Sequence, residues 1–153
     1  PGKAGRAQTT RGLTPVPEMT GNPKTALRQQ LRAARKAHVD SLPASVRALV
    51  LKRPPVQVVE MVAPDAVIGF YHATATEAPA SGYAKFFPLL GFDTEGGRLG
   101  LGAGHYDRWL ATRPNVLAMG LAWDCQLVDN LPLESHDRPM TAIVTPTRLY
   151  GPF

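Results

Sequence analysis

GGRLGLGAGHYDRWL, residues 96–110, places glycines at 96, 97, 100, 102 and 104 and then passes directly into aromatic and charged residues. Glycine lets a backbone take positive φ and leaves its amides open to close approach. The preceding PLLGFD, residues 88–93, reads as a short strand leading into the glycines. The following HYDRWLATR, residues 105–113, carries a helical pattern, with Tyr106, Trp109 and Leu110 on related faces. A glycine loop that opens a helix directs several N–H groups outward and favours an anion by about 0.3–1 kcal/mol. Phosphate is the obvious guest. Yet the third glycine of a dinucleotide fingerprint would fall at His105, and no Lys-Ser/Thr pair follows as a P-loop requires. On the glycines alone, a turn that merely joins strand to helix stays open.

The neighbours favour chemistry. Arg98 can make charge-assisted bonds to phosphate oxygens, and Asp107, read as an exposed acid in the first helical turn, is the oxygen ligand that magnesium accepts beside a nucleotide. Further along, ESHDRP, residues 134–139, puts Asp137 in a loop between strands, where it could hold magnesium through water or bond its own turn backbone.

Outward from this centre the order is helices, then strands alternating with helix. Asn22 followed by Pro23 is a helix start, and Leu27, Leu31 and Ala34 form an apolar stripe to about Val39, with Lys24 and Arg28 on the adjacent face. A second helix is expected over residues 43–52, where RPP ends the helical start of the domain. AVIGFYHA at 66–73, NVLAMGLAW at 115–123 and AIVTPTRLY at 142–150 each read as one strand. A layered α/β architecture with a mostly parallel sheet flanked by helices follows. Residues 1–22 mix Gly, Pro, Thr and basic side chains without periodicity and read as a flexible basic tail, leaving 23–153 as one domain.

Composition narrows the classes. A 44% hydrophobic and 19% charged chain of 153 residues is ordinary for one globular domain. The net charge of +5 favours anionic ligands. Nucleic acid is disfavoured, because Lys3, Arg6 and Arg11 are spaced without aromatic interleaving. Cys125 is the sole cysteine, so an internal disulfide is excluded and a reducing, cytoplasmic setting is expected. No apolar run reaches a membrane span. The expected partners are small molecules, and the expected state is a monomer or weak homo-oligomer.

PLLGFDTEGGRLGLGAGHYDR, with GLAWDCQ, HDRP and TPTRLYGPF after it, resembles the 5-formyltetrahydrofolate cyclo-ligase family, also called methenyltetrahydrofolate synthetase. The family segment G-x-R-L-G-x-G-x-G-x-Y-D is matched from Gly96 to Asp107, while the N-terminal half matches more thinly through Lys24, Arg28 and FYHATATEAP. The resemblance implies an α/β sandwich of the NagB/RpiA/CoA-transferase-like kind. It also implies closure of 5-formyltetrahydrofolate to 5,10-methenyltetrahydrofolate with ATP and Mg²⁺, releasing ADP and phosphate. A relative that binds nucleotide or folate without turnover is the alternative.

By position, ATP would be held by Lys24, Arg28 and the run Arg98, Leu99, Gly100, Leu101, Gly102, Ala103, Gly104, His105 and Tyr106. Arg98, Tyr106 and Asp107 would be catalytic, and Asp107 and Asp137 would hold the magnesium. Glu77, with Leu101, Gly102, Ala103, Gly104 and His105, would contact the folate. Two departures stand out: His105 replaces a common tyrosine, and Ala103 stands where some members carry lysine. A third is length, since family members place roughly fifty to sixty more residues between the equivalents of Phe87 and Pro88, which implies a missing segment at that junction.

Overall fold

The computed structural model describes residues 22–50, 53–66 and 89–153. Residues 1–21 of the expected tail, most of the expected strand at 66–73, Glu77 and the 87/88 junction lie outside the described residues.

Helix α1, Pro23–Ser41, starts as its sequence dictates: Pro23 takes the first turn, and the Asn22 side chain accepts a 3.0 Å hydrogen bond from the Lys24 amide. Its buried face is Lys24, Leu27, Leu31, Arg35 and Val39. The last steps run by four, so Arg35 is buried where the expected stripe had Ala34, which is only half-buried. Helix α2, Ala44–Leu49, is shorter than expected, and α3, Val56–Glu60, begins where the helical segment was expected to end. Pro55 sits at the cap of α3, outside the hydrogen-bonded turns, where a missing N–H costs nothing. RPP thus divides two helices.

The glycine run also serves two structures. Strands β1, Gly91–Phe92, and β2, Arg98–Leu99, pair antiparallel, with Gly91 opposite Leu99. Gly96 and Gly97 therefore lie in a hairpin turn, held by Asp93 Oδ1, which accepts from the amides of Glu95 at 2.9 Å and Gly97 at 2.7 Å. Residues 100–104 alone lead into helix α4, His105–Ala111.

Strands β3, Met119–Leu121, β4, Ala142–Val144, and β5, Leu149–Tyr150, form a second sheet in that order. The segments expected as single strands at 115–123 and 142–150 are corrected to these shorter pieces. At 145–148 the chain turns back, because Pro146 has no donor to continue a ladder, and Thr145 N–H donates to Arg148 O at 2.9 Å. β3 and β4 are parallel, whereas β4 and β5, like β1 and β2, are antiparallel. The mostly parallel pattern is therefore not seen among the described residues; two of the three ladders close through short turns, which parallel pairing cannot use. The architecture is mixed α/β with small sheets.

Both faces of the second sheet are covered. Ile143 joins Leu89, Phe92, Leu110 and Met140, while its neighbour Val144 packs with Met119 and Val58 of α3. Alternation along a strand sends adjacent side chains to opposite faces, so all of β4 is buried. Helix α1 docks through Leu27 and Leu31 onto Leu90, Leu99 and Val128, and through Val39 onto Trp123. Gln126 secures this junction: its Nε2 donates to the carbonyls of Leu89 and Leu90, both at 3.0 Å, and its Oε1 accepts from the Trp123 amide at 2.8 Å. Among the described residues, no helix is long and apolar enough to cross a membrane.

Leu31 is completely buried under this docking, so Leu31→Ala should destabilise the protein by about 2–5 kcal/mol. Lys36→Ala, on the exposed face of the same helix, should stay within about 0.5 kcal/mol. Urea denaturation of both variants measures the contrast, and equal losses would contradict the docking described.

Candidate functional site

Docking of α1 turns its basic side chains toward the loop before α4. Arg28 Nε donates to Gly100 O at 3.0 Å, and Arg32 Nη2 donates to Leu101 O at 3.2 Å. The loop then passes Gly102, at φ 117°, and Gly104, at φ 64°, both conformations that L side chains avoid. Arg108, one turn inside α4, closes the far end by donating from Nη2 to Ala103 O at 3.0 Å, and the same nitrogen lies 3.1 Å from His105 Nδ1. The loop is thus tied down by arginines at carbonyls on both sides.

A cavity of about 300 Å³ opens over this loop. It is lined by Lys24 and Arg28 from α1, by the whole run from Arg98 to Asp107, and by Glu134, His136 and Asp137 from the 127–141 connection. Every described residue expected at the nucleotide, loop and metal positions meets there. Glu77 lies outside the described residues.

Two ion-pair systems organise the walls. Arg98 Nη2 lies 2.6 Å from Asp107 Oδ1, with the two side chains 1% and 14% exposed. Asp107 Oδ1 also accepts from the Arg138 amide at 3.1 Å. Asp107 is therefore a mostly buried, paired carboxylate and not the exposed first-turn acid expected. The Arg98 guanidinium lies 6.0 Å from the Tyr106 ring centroid, and its Nε is buried without a hydrogen-bond partner. In the other system Lys24 Nζ is 2.6 Å from Asp137 Oδ2 and 2.8 Å from Glu134 Oε2. Asp137 Oδ2 accepts in addition from the Glu134 amide at 2.7 Å.

Burial alone would push the Asp137 carboxyl up, but the hydrogen bonds from Lys24 and the Glu134 amide outweigh it and hold the group below its ordinary value. Lys24 is the mirror case: burial would lower its ammonium, while the bonds to Asp137 and Glu134 raise it above the usual lysine value.

Glu134 and His136 were not singled out in the sequence, and neither was Arg32. Arg32 had a signal, because Lys24, Arg28 and Arg32 repeat at four-residue spacing along one helix face. Glu134 precedes Asp137 by three residues, a spacing common in solvated turns and therefore uninformative alone. In the structure one ligand atom each from Glu134, His136 and Asp137 lie within 4.8 Å of one another.

Residues 74–146 match the model of the 5-formyltetrahydrofolate cyclo-ligase family. A 5-formyltetrahydrofolate cyclo-ligase of Escherichia coli K12 is 46% identical over 65 residues, covering 41% of this chain and 36% of the relative. The Haemophilus influenzae protein of the same name is 48% identical over 61 residues, covering 39% of this chain and 33% of its own length. The chain thus spans about a third of the length of the curated relatives it matches. The NMR structure of Aquifex aeolicus 5,10-methenyltetrahydrofolate synthetase aligns over 84% of this chain and 92% of its own, at 21% identity and a TM-score of 0.41, a likeness too distant to carry an argument.

The paired shifts fix a pH signature. A carboxyl whose folded pKa is lowered contributes stability above the ordinary aspartate pKa of about 3.9 and loses it as pH falls through the lower folded value. An ammonium whose folded pKa is raised contributes below the ordinary lysine value and loses it as pH rises through the higher one. Asp137→Asn should therefore lower the urea midpoint at pH 7, and the gap to the parent protein should shrink as pH falls below the aspartate range. A gap constant across that acid range would contradict the assignment.

Proposed function

We propose, on the premise that residues 74–146 belong to the 5-formyltetrahydrofolate cyclo-ligase family, that this protein closes 5-formyltetrahydrofolate to 5,10-methenyltetrahydrofolate with ATP and Mg²⁺. One observation carries the reading: α1 cations, a glycine loop and two acidic positions, distant in sequence, line one cavity. In the proposed reaction the formyl oxygen takes the γ-phosphoryl group, N10 attacks the activated carbon, and phosphate leaves. Such chemistry asks for positioning and charge stabilisation and needs no covalent nucleophile from the protein.

The chain's own groups supply those needs in stated places. Arg28 faces the loop with its Nε on Gly100 O, which leaves its remaining guanidinium nitrogens for phosphate oxygens. Gly102 and Gly104 keep side chains away from the cavity-lining backbone, where Leu101, Ala103 and His105 give the nucleotide and folate their shared floor. Arg98 and Tyr106 close the wall behind Asp107. Glu77 is assigned to the pterin on family position alone. The donor set fits magnesium: Asp107 and Asp137 offer hard carboxylate oxygens, and the Lys24 ammonium already stands as a cation against Asp137. When bound, the metal would neutralise charge on the transferring phosphoryl group.

We read the two small sheets as part of one layered α/β sandwich over residues 23–153, with a missing segment at the junction of Phe87 and Pro88. The reading is of a cytoplasmic enzyme, monomeric or weakly self-associating, with small-molecule partners.

Purified protein given 5-formyltetrahydrofolate and MgATP should form methenyl product and phosphate one to one, followed by product absorbance and phosphate release. ATP binding without product would leave a nucleotide-binding relative in its place. Arg28→Ala should raise the KM for ATP by about ten- to a hundredfold, the loss of one charged hydrogen-bonding group, with a much smaller effect on the KM for folate.

A further inference from the structure

We propose, resting on the nucleotide reading of this cavity, that Lys24 is a tethered cation that closes the Glu134–Asp137 carboxylate pair to divalent metal until an anion enters the cavity and draws the ammonium away. The ammonium lies 2.6 Å from Asp137 and 2.8 Å from Glu134, on a side chain only 10% exposed. The same carboxylates are two of the three groups, with His136, whose ligand atoms cluster within 4.8 Å. Asp137 Oδ2 already accepts from both Lys24 and the Glu134 amide. A magnesium ion binds oxygen at about 2.0–2.1 Å, so it cannot share that oxygen's open side with an ammonium at hydrogen-bond distance.

Lys24 lines the same cavity as the loop that Arg28 bonds, and its four-carbon stem lets Nζ change partner without any movement of α1. An anion on the loop side would pull the ammonium off the carboxylates, and the released negative charge would take up the metal. Metal would then bind with the anion and only weakly without it. Glu134, which carries no family assignment, becomes a ligand or positioning group for this exchange. A merely structural ion pair makes the opposite forecast: removing Lys24 would cost stability and leave metal affinity where it was.

The test uses the full chain titrated with Mn²⁺ in the absence of nucleotide and folate, with free Mn²⁺ read by electron paramagnetic resonance. Lys24→Met should bind Mn²⁺ at least tenfold more tightly than the parent, and adding Glu134→Gln should remove that gain. Sulfate, a dianion that chelates Mn²⁺ poorly, should tighten Mn²⁺ binding to the parent protein relative to chloride at equal ionic strength, and should have no such effect on Lys24→Met. Mn²⁺ affinities within twofold for parent and Lys24→Met, a gain that survives Glu134→Gln, or no sulfate effect on the parent would each overturn the proposal. If Lys24→Met fails to fold by circular dichroism, Lys24→Gln takes its place, with a gain of at least threefold expected and an unchanged affinity again overturning it. No arm depends on methenyl product, so failure of the cyclo-ligase reaction and failure of the exchange are separate results.

Discussion

The docking of α1 onto residues 90–128 is the constraint from which the site follows. Its apolar half is Leu27 and Leu31 against Leu90, Leu99 and Val128, and its polar half is Lys24 reaching Asp137, 113 positions along the chain. Apolar burial supplies free energy without direction, whereas the ion pair fixes which turn of the helix faces the loop. Once that register is set, Arg28 and Arg32 must lie over Gly100 and Leu101, because each is one turn further along the same face.

The Arg98–Asp107 pair shows how such a site is kept rigid. Taking both charges out of water is costly, and a buried pair often does no better for stability than an apolar one. Its effect here is geometric: strand β2 fixes Arg98, Arg98 fixes Asp107, and Asp107 in turn receives the Arg138 amide from the connection that carries Asp137. The two acidic positions are thereby referenced to one strand. The unpartnered Nε of Arg98 is the residual cost of that arrangement.

Much of this was legible in the sequence, for specific reasons. Asn22-Pro23 marks a helix start by local chemistry alone, and the Lys24/Arg28 spacing places both on one face whatever the tertiary fold. The glycines located the loop but concealed that Gly96 and Gly97 belong to a hairpin, since a turn glycine and a ligand-loop glycine look alike without knowing what pairs across them. Pairing was also the weak point at 142–150, where a run of strand-like residues hid a reversal at Pro146. Asp107 was misjudged because burial of a charge depends on partners brought from elsewhere. Glu134 was invisible for the same reason: its meaning comes from Lys24, 110 positions away.

The charges around the cavity decide what kind of anion it suits. Lys24, Arg28 and Arg98 on the positive side stand against Glu134, Asp107 and Asp137 on the negative side, and all of them line the same space. A wall so nearly balanced makes an incoming anion compete with the carboxylates for its cations. It can serve an anion that brings its own cation, because each half of such a ligand then finds its own counter-charge within one cavity. The basic excess of the chain as a whole acts over longer range and at lower salt, drawing anions toward the surface without selecting among them. On the proposed reading selection falls to the cavity, where Gly102 and Gly104 leave the backbone accessible and the paired carboxylates would set where a cation can go.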